Sequence, residues 1–282
     1  MLLLMISADN HQVLTYYMKL ITVATFKVAT VVVLFSLFSC GSSSVEHIHS
    51  GEAQGTTYMI KYYGIETVTQ LQVDSVIESM DVEMNTWRND SRITEINNFD
   101  REDTVFSFYD TSKIWSVLWD MSWEIHRDSE GAFDPTVKPL VDLWGFGLKH
   151  VYNVDSMQVD SIMNFVGFRT DNIDLDETET REKYLETHIV KGDKRTQLDF
   201  NAIAQGYTVD ILIDLLIESG IENAMVEMGG EVRCVGMNLK GLPWRIAVDK
   251  PVISDVAGGR PLQAILEVHN ASVCTSGNYR KF

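Results

Sequence analysis

Residues 198–235, LDFNAIAQGYTVDILIDLLIESGIENAMVEMGGEVRCV, read as a helix followed by two strands with no second helix between them. Tyr207, Ile211, Leu212, Leu215 and Leu216 recur at three- and four-residue steps, the pattern of a helix with one apolar face, and Gly220 closes it. Asn223–Val235 then reads as a strand broken by Gly229-Gly230, and Leu198–Phe200 ahead of the helix reads as a short strand. Sequential strands after a helix point to an α+β domain rather than to βαβ winding.

Working outward, the same grammar continues. Gln54–Tyr63 has strand character, and Val73, Val76, Ile77, Met80, Met84 and Trp87 mark an amphipathic helix. Ser91–Asn97 is a short helical segment, and Thr111–Arg127 is a second long helix ending near Gly131. The run GAFDPTVKPLVDLWGFG (131–147), dense in Gly, Pro and aromatics, reads as a structured loop. Asp155–Val166 reads as a third helix and the charged stretch 171–195 as a surface hairpin or loops. Trp244–Val248 and Leu262–Val268 are further strands.

With 282 residues and 45% hydrophobic content, the chain can bury a substantial core. Forty acidic residues face 23 basic ones, a net charge of −17, with no dense Lys/Arg stripe, which argues against nucleic acid as a partner. A phosphate-bearing ligand on so acidic a protein calls for a metal ion or a helix N-terminus to hold it. The seven His are scattered and no Cys/His group has zinc spacing. Cys234 and Cys274 read equally as a disulfide or as two buried thiols.

The N-terminus reads as an export signal. Lys19 and Lys27 precede the uncharged run Val28–Phe38, which is too short to span a bilayer comfortably. Ser39-Cys40 and the Ser-rich stretch after it are similar to a bacterial lipoprotein signal, in which Cys40 would carry the lipid. The expected organisation is a signal peptide over 1–39, with Met18 a better start than Met1, then a lipid-attachment tether over 40–50 and a folded domain over 51–282.

Four segments carry more polar and Gly-rich character than plain structure asks for. Gln54-Gly55-Thr56-Thr57 is either a turn or a place of close backbone approach. Gly131–Thr136 with Leu143–Gly147 is either a rigid platform for a planar ring or a loop packed on the core. In Asp199–Tyr207 a helix start offers backbone donors to phosphate or adenine, while Asp199 either bonds a base or ribose or caps the helix. Thr275–Tyr279 sets two hydroxyls, an amide and a Gly in a row.

In this order the four segments resemble the flavin transferases of the ApbE type, periplasmic lipoproteins that move FMN from FAD onto a protein hydroxyl. The resemblance runs from Gln54 to Phe282 and is most specific in GAFDPTVKPLVDLWGFG and DFNAIAQGYTVD, with support from MNTWRNDSRITEIN, EMGGEV, GLPWRIAVDKP and TSGNYRKF. It implies a fold of mixed or antiparallel sheets flanked by helices. By position it sets FAD against Gln54, Trp87, Ala132, Phe133, Asp134, Asp199 and Gln205, with the backbone carbonyl of Ala202 helping to bind Mg2+. Some relatives have Met where Gln54 stands. Trp87 either stacks on a ring or completes the helix's core face.

The resemblance further implies an acceptor protein flavinylated on Thr or Ser, a subunit of a membrane redox pump or an exported reductase. It also implies a His-x-Ile-Asp-Pro segment and an Asp/Thr metal box, neither of which occurs in these 282 residues. The expectation is therefore a C-terminally truncated chain with little activity of its own. An FAD pyrophosphatase using the same site, and a non-catalytic flavin-binding lipoprotein, stay open as alternatives.

Overall fold

Strand β1 (Val45–Ala53) pairs antiparallel with β2 (Thr56–Gly64) across a two-residue turn in which Gln54 (φ 51°) and Gly55 (φ 73°) both adopt left-handed backbone. Two-residue hairpins favour positive φ at both positions, because that twist matches the flanking strands. The computed structural model describes residues 45–100, 105–146, 154–180, 185–251 and 261–277, all within a unit beginning at Val45.

The remaining elements follow in chain order as α1 (Gln70–Met84), α2 (Arg92–Asn97), β3 (Val105–Tyr109), α3 (Ile114–Asp128), α4 (Lys138–Leu143) and α5 (Ser156–Met163). Then come β4 (Ile173–Glu179), β5 (Leu185–Lys191), α6 (Asn201–Glu218), β6 (Asn223–Met228), β7 (Glu231–Val235), β8 (Trp244–Asp249), β9 (Leu262–Val268) and β10 (Ala271–Cys274). Three sheets result, in the orders β1-β2-β6-β7-β10, β3-β5-β4 and β8-β9, and every pairing is antiparallel. The α+β expectation holds.

Alternation along the strands decides the layers. Tyr58, Ile60 and Tyr62 of β2 and Ala224, Val226 and Met228 of β6 point to one face, where α1 and α6 cover them with Val73, Ile77, Val209, Leu212 and Leu216. A second core joins the far end of α1 to α2, α3 and the three-stranded sheet through Met80, Ile93, Trp115, Leu118, Phe168, Ile173 and Ile189. Phe200 lies fully buried in it and meets Trp115 edge-on, which seats the start of α6 between the two cores.

Several local expectations give way to the structure. The stretch from Val45 to Ser50, expected as tether, is the first part of β1; its polar residues suit an edge strand with one exposed face. Leu198–Phe200, in which Phe200 (φ −99°, ψ 11°) already turns toward the helix, joins no ladder. Its polar groups are met by the Asn97 side chain, which accepts from Leu198 N at 2.7 Å and donates to Leu198 O at 2.8 Å, and by Pro135 O, which accepts from Asp199 N at 2.7 Å. The loop expected at 131–147 contains α4, with Pro139 in its first turn, where a missing N–H costs nothing. Trp87 lies beyond the end of α1 and is 57% exposed, so it completes no core face.

Cys234 and Cys274 are both free. Cys234 pairs with Ala271 and Cys274 with Glu231, three positions apart in register, so the two thiols project from opposite faces of the sheet. No helix among the described residues is long and apolar enough to cross a membrane. Cys40 and the expected signal lie outside the described residues.

Candidate functional site

The first two turns of α6 are the spine of the site. At its N-terminus, Asp199 accepts from the Asn201 backbone N–H at 2.8 Å, and Phe200 O accepts from Ile203 N at 2.9 Å and Ala204 N at 2.8 Å. The Ala202 amide has no partner among the described residues, and Ala202 is exposed. An unsatisfied donor at the positive end of an 18-residue helix is suited to an anionic group.

Asp199 is 8% exposed, and burial pushes its carboxyl above the usual range, against the pull of the Asn201 N–H and the nearby Lys138 ammonium. Lys138 is itself paired with Asp142. The Asn201 side chain reaches Thr86 Oγ1 at 3.3 Å, which brings the exposed Trp87 next in sequence to the same end of the helix.

The 131–136 segment arrives from α3 under close constraint. Gly131 (φ 84°) sends its N–H back to His126 O at 2.8 Å, Phe133 N donates to Ser129 Oγ at 3.0 Å, and His126 Nδ1 donates to Phe133 O at 2.6 Å. Ala132 is exposed and Phe133 half-buried. Asp134 turns inward. Its Oδ1 accepts from Thr136 N at 2.7 Å and Thr136 Oγ1 at 2.6 Å, and its Oδ2 accepts from Phe168 N at 3.0 Å. Both carboxylate oxygens are thus engaged, one within the loop and one by the Phe168 segment.

One or two turns along α6, a second group gathers at the end of the five-stranded sheet. Tyr58 pairs with Met228, and Gly229 N donates to Thr57 O at 3.2 Å, so the β1–β2 turn lies beside the β6–β7 turn. Gly229 (φ 60°) and Gly230 (φ 106°) adopt left-handed backbone and let neighbouring side chains pack directly against the turn. A Cβ on Gly229 would come 2.6 Å from Gln205 Nε2 and 2.8 Å from Thr56 Cγ2, and one on Gly230 would come 2.7 Å from Thr275 Oγ1. Gln54 Nε2 donates to Thr208 Oγ1 at 2.9 Å. Thr275 Oγ1 donates to Gly230 O at 3.2 Å, bringing the start of the Thr275–Gly277 segment to the same place; Asn278 and Tyr279 lie outside the described residues.

The structure therefore brings Asp199, Ala202 and the Trp87 region to one end of the spine, and Gln54 and Gln205 to the other. At 1.5 Å per residue, Asn201 and Thr208 are about 10 Å apart along the axis. Thr208, Lys138, Asn201 and Thr86 were not singled out from sequence. Thr208 is coupled to Gln54 across 154 positions, and no local pattern carries that signal.

Mg2+ fits less well. Among the described residues no three His, Cys, Asp or Glu side chains stand close enough to hold a metal ion. A hard cation takes about six oxygen ligands, and one backbone carbonyl at Ala202 would not complete them. The described donor set does not make a magnesium site.

The candidate site is thus the N-terminal part of the longest helix of an α+β domain, with Gln54 and Gln205 gathered beside a glycine turn. Comparison with known proteins supplies the class. The ApbE family model matches residues 54–282, and the chain belongs to the ApbE family.

It is 34% identical over 245 residues to the FAD:protein FMN transferase of Vibrio cholerae serotype O1, covering 84% of this chain and 68% of that protein. It is 28% identical over 261 residues to the Haemophilus influenzae protein of the same name, covering 90% and 72%. Among solved structures, the flavin transferase ApbE from Vibrio cholerae superposes with a TM-score of 0.69 at 30% identity, covering 85% of this chain and 74% of that one. The apo flavinyl transferase ApbE of Pseudomonas stutzeri gives 0.68 at 27% identity, covering 85% and 73%.

Proposed function

We propose that this protein is an FAD:protein FMN transferase. The observation that carries the reading is the match to the ApbE family over 54–282, which includes both 131–147 and 199–207, the segments joined in space by the Asp199–Pro135 hydrogen bond. In the proposed reaction a Thr or Ser hydroxyl of the acceptor protein attacks the FMN-side phosphorus of FAD. A new P–O bond forms to the acceptor, the bond to the AMP oxygen breaks, and the hydroxyl proton is released.

Roles follow from the site. The α6 N-terminus with the Ala202 amide receives a phosphate oxygen, Trp87 stacks on a ring, and the 132–134 backbone borders the ligand. Gln54 and Gln205 offer amides at the other end, and Asp199 faces a hydroxyl or N–H of the nucleotide. Mg2+, if bound, would neutralise pyrophosphate charge, with Ala202 O as one oxygen ligand; the described side chains do not complete such a site.

The same reading makes the chain an exported lipoprotein, anchored to a membrane through Cys40 and facing the periplasm. Its acceptor is then a membrane redox-pump subunit or an exported reductase. Support for this part comes from the 19–44 sequence pattern.

Resolving the products of an incubation with FAD, Mg2+ and a Thr-bearing acceptor separates the readings. Flavin on the acceptor with free AMP supports transfer. Free FMN with AMP points to hydrolysis. Intact FAD bound to the protein, with neither product, marks a flavin-binding protein and refutes transferase activity for this chain.

A further inference from the structure

The Gln54 amide has one orientation that satisfies its surroundings, and Thr208 sets it. Thr208 is fully buried on α6, and its hydroxyl donates to Ala204 O, one turn back, at 2.9 Å. A hydroxyl has a single proton. With that proton on Ala204 O, Thr208 Oγ1 can only accept from the Gln54 atom 2.9 Å away, which must therefore be the NH2 end. The reverse amide orientation would put two acceptors face to face, or cost the hydroxyl its bond to the helix carbonyl.

The consequence falls on the other end of the amide. Gln54 Oε1 has no partner among the described residues, and the side chain springs from a left-handed residue (φ 51°) that the hairpin turn holds in place. The free end of this half-buried amide is thus an acceptor alone, on the turn whose Thr56 packs with Gln205 against Gly229.

We propose that Thr208 is a positioning residue that locks Gln54 as an acceptor, so that the site selects a ligand ring presenting an N–H. The proposal rests on the reading of FAD as ligand and deepens it. FAD has two such donors, the imide N–H of the flavin and the exocyclic amine of adenine, and either satisfies the same oxygen. A free glutamine could rotate and accept or donate as needed; one tied to Thr208 cannot.

The test measures dissociation constants on the full chain by flavin fluorescence, for FAD, for FAD methylated at flavin N3, and for FAD with a dimethylated adenine amine. One analogue is expected to bind the wild type about tenfold more weakly than FAD, the loss of one ligand hydrogen bond. That penalty should persist in Thr208→Ser, which keeps the hydroxyl, and shrink below about threefold in Thr208→Val. Thr208→Ala carries the same contrast if the valine variant fails to fold. The analogue that shows the effect names the ring.

Equal penalties in wild type and in the hydroxyl-free variants, or no penalty for either analogue, overturn the proposal while leaving FAD binding intact. If the wild-type chain binds no FAD at all, the ligand reading fails and this inference falls with it.

Discussion

The backbone N–H of Asp199 donates to the carbonyl of Pro135 at 2.7 Å, joining two segments 64 positions apart in the chain. That bond sets the entry to α6 against the loop that follows α3. It places a buried carboxyl, a helix start and the 132–134 backbone around one end of the site. The consequences can be measured residue by residue.

Asp134 holds two donors of its own loop and one from the Phe168 segment, so its replacement should act on folding first. Asp134→Ala strands Thr136 N, the buried Thr136 hydroxyl's donor and Phe168 N. We expect a loss of about 2–3 kcal/mol in urea unfolding. A variant of unchanged stability with abolished flavin binding would instead put the carboxylate on the ligand.

Trp87 should behave in the opposite way. It is 57% exposed and lies outside α1, so Trp87→Ala should change stability by less than about 0.5 kcal/mol. FAD affinity should fall roughly 3- to 10-fold through lost stacking, while Trp87→Tyr retains most of it. Isothermal titration beside a thermal melt checks both halves.

Asp199 links pH to folding. Its folded-state pKa is raised, mainly by burial, so its contribution to stability is fully present below the ordinary carboxylate value and is lost as pH rises through the raised one. Asp199→Asn removes that titration. The stability gap between variant and wild type should therefore shift in the variant's favour across this window, while FAD affinity falls at neutral pH. A gap that stays flat with pH contradicts the assignment.

Lys191 gives a second pH signature, away from the site. It is 1% exposed at the end of β5, its Nζ has no hydrogen-bond partner, and burial lowers its pKa to about 8. A lowered lysine pKa adds stability above the unfolded value, and that stability is lost as pH falls through the folded one. The wild type should gain stability from pH 8 to about 10.5 relative to Lys191→Met. The wild type's deficit against the methionine variant should therefore be larger at neutral pH than at pH 10.5. Matched unfolding curves at several pH values decide it.

What the sequence disclosed follows from where each signal lives. The α6 period and the Gly229-Gly230 break are local, and the structure has them as read. β1 was missed because an edge strand with one exposed face carries His, Ser and Glu where a buried strand carries Val and Ile. The 198–200 stretch joins no strand; a side-chain amide from Asn97 supplies the bonds a neighbouring strand would give. α4 hid in a Pro-rich run, although Pro139 sits where a helix tolerates it.

The site was legible as four unusual segments, and the fold does bring parts of all four to α6. Which atoms face a ligand was not legible. Asp134 looks like a ligand group in the sequence, yet both its oxygens accept from backbone amides, of Thr136 and of Phe168. Thr208 reads as one more residue of an apolar helix, and only its 154-residue reach to Gln54 gives it a role.

The central claim is tested most directly by following phosphorus. FAD labelled at the FMN-side phosphorus is incubated with the protein, Mg2+ and a Thr-bearing acceptor, beside FAD labelled at the adenosine-side phosphorus. The account predicts that the first label moves onto the acceptor with the flavin and that the second leaves as AMP. Recovery of the first label as free FMN, or of both labels still in FAD, would contradict it.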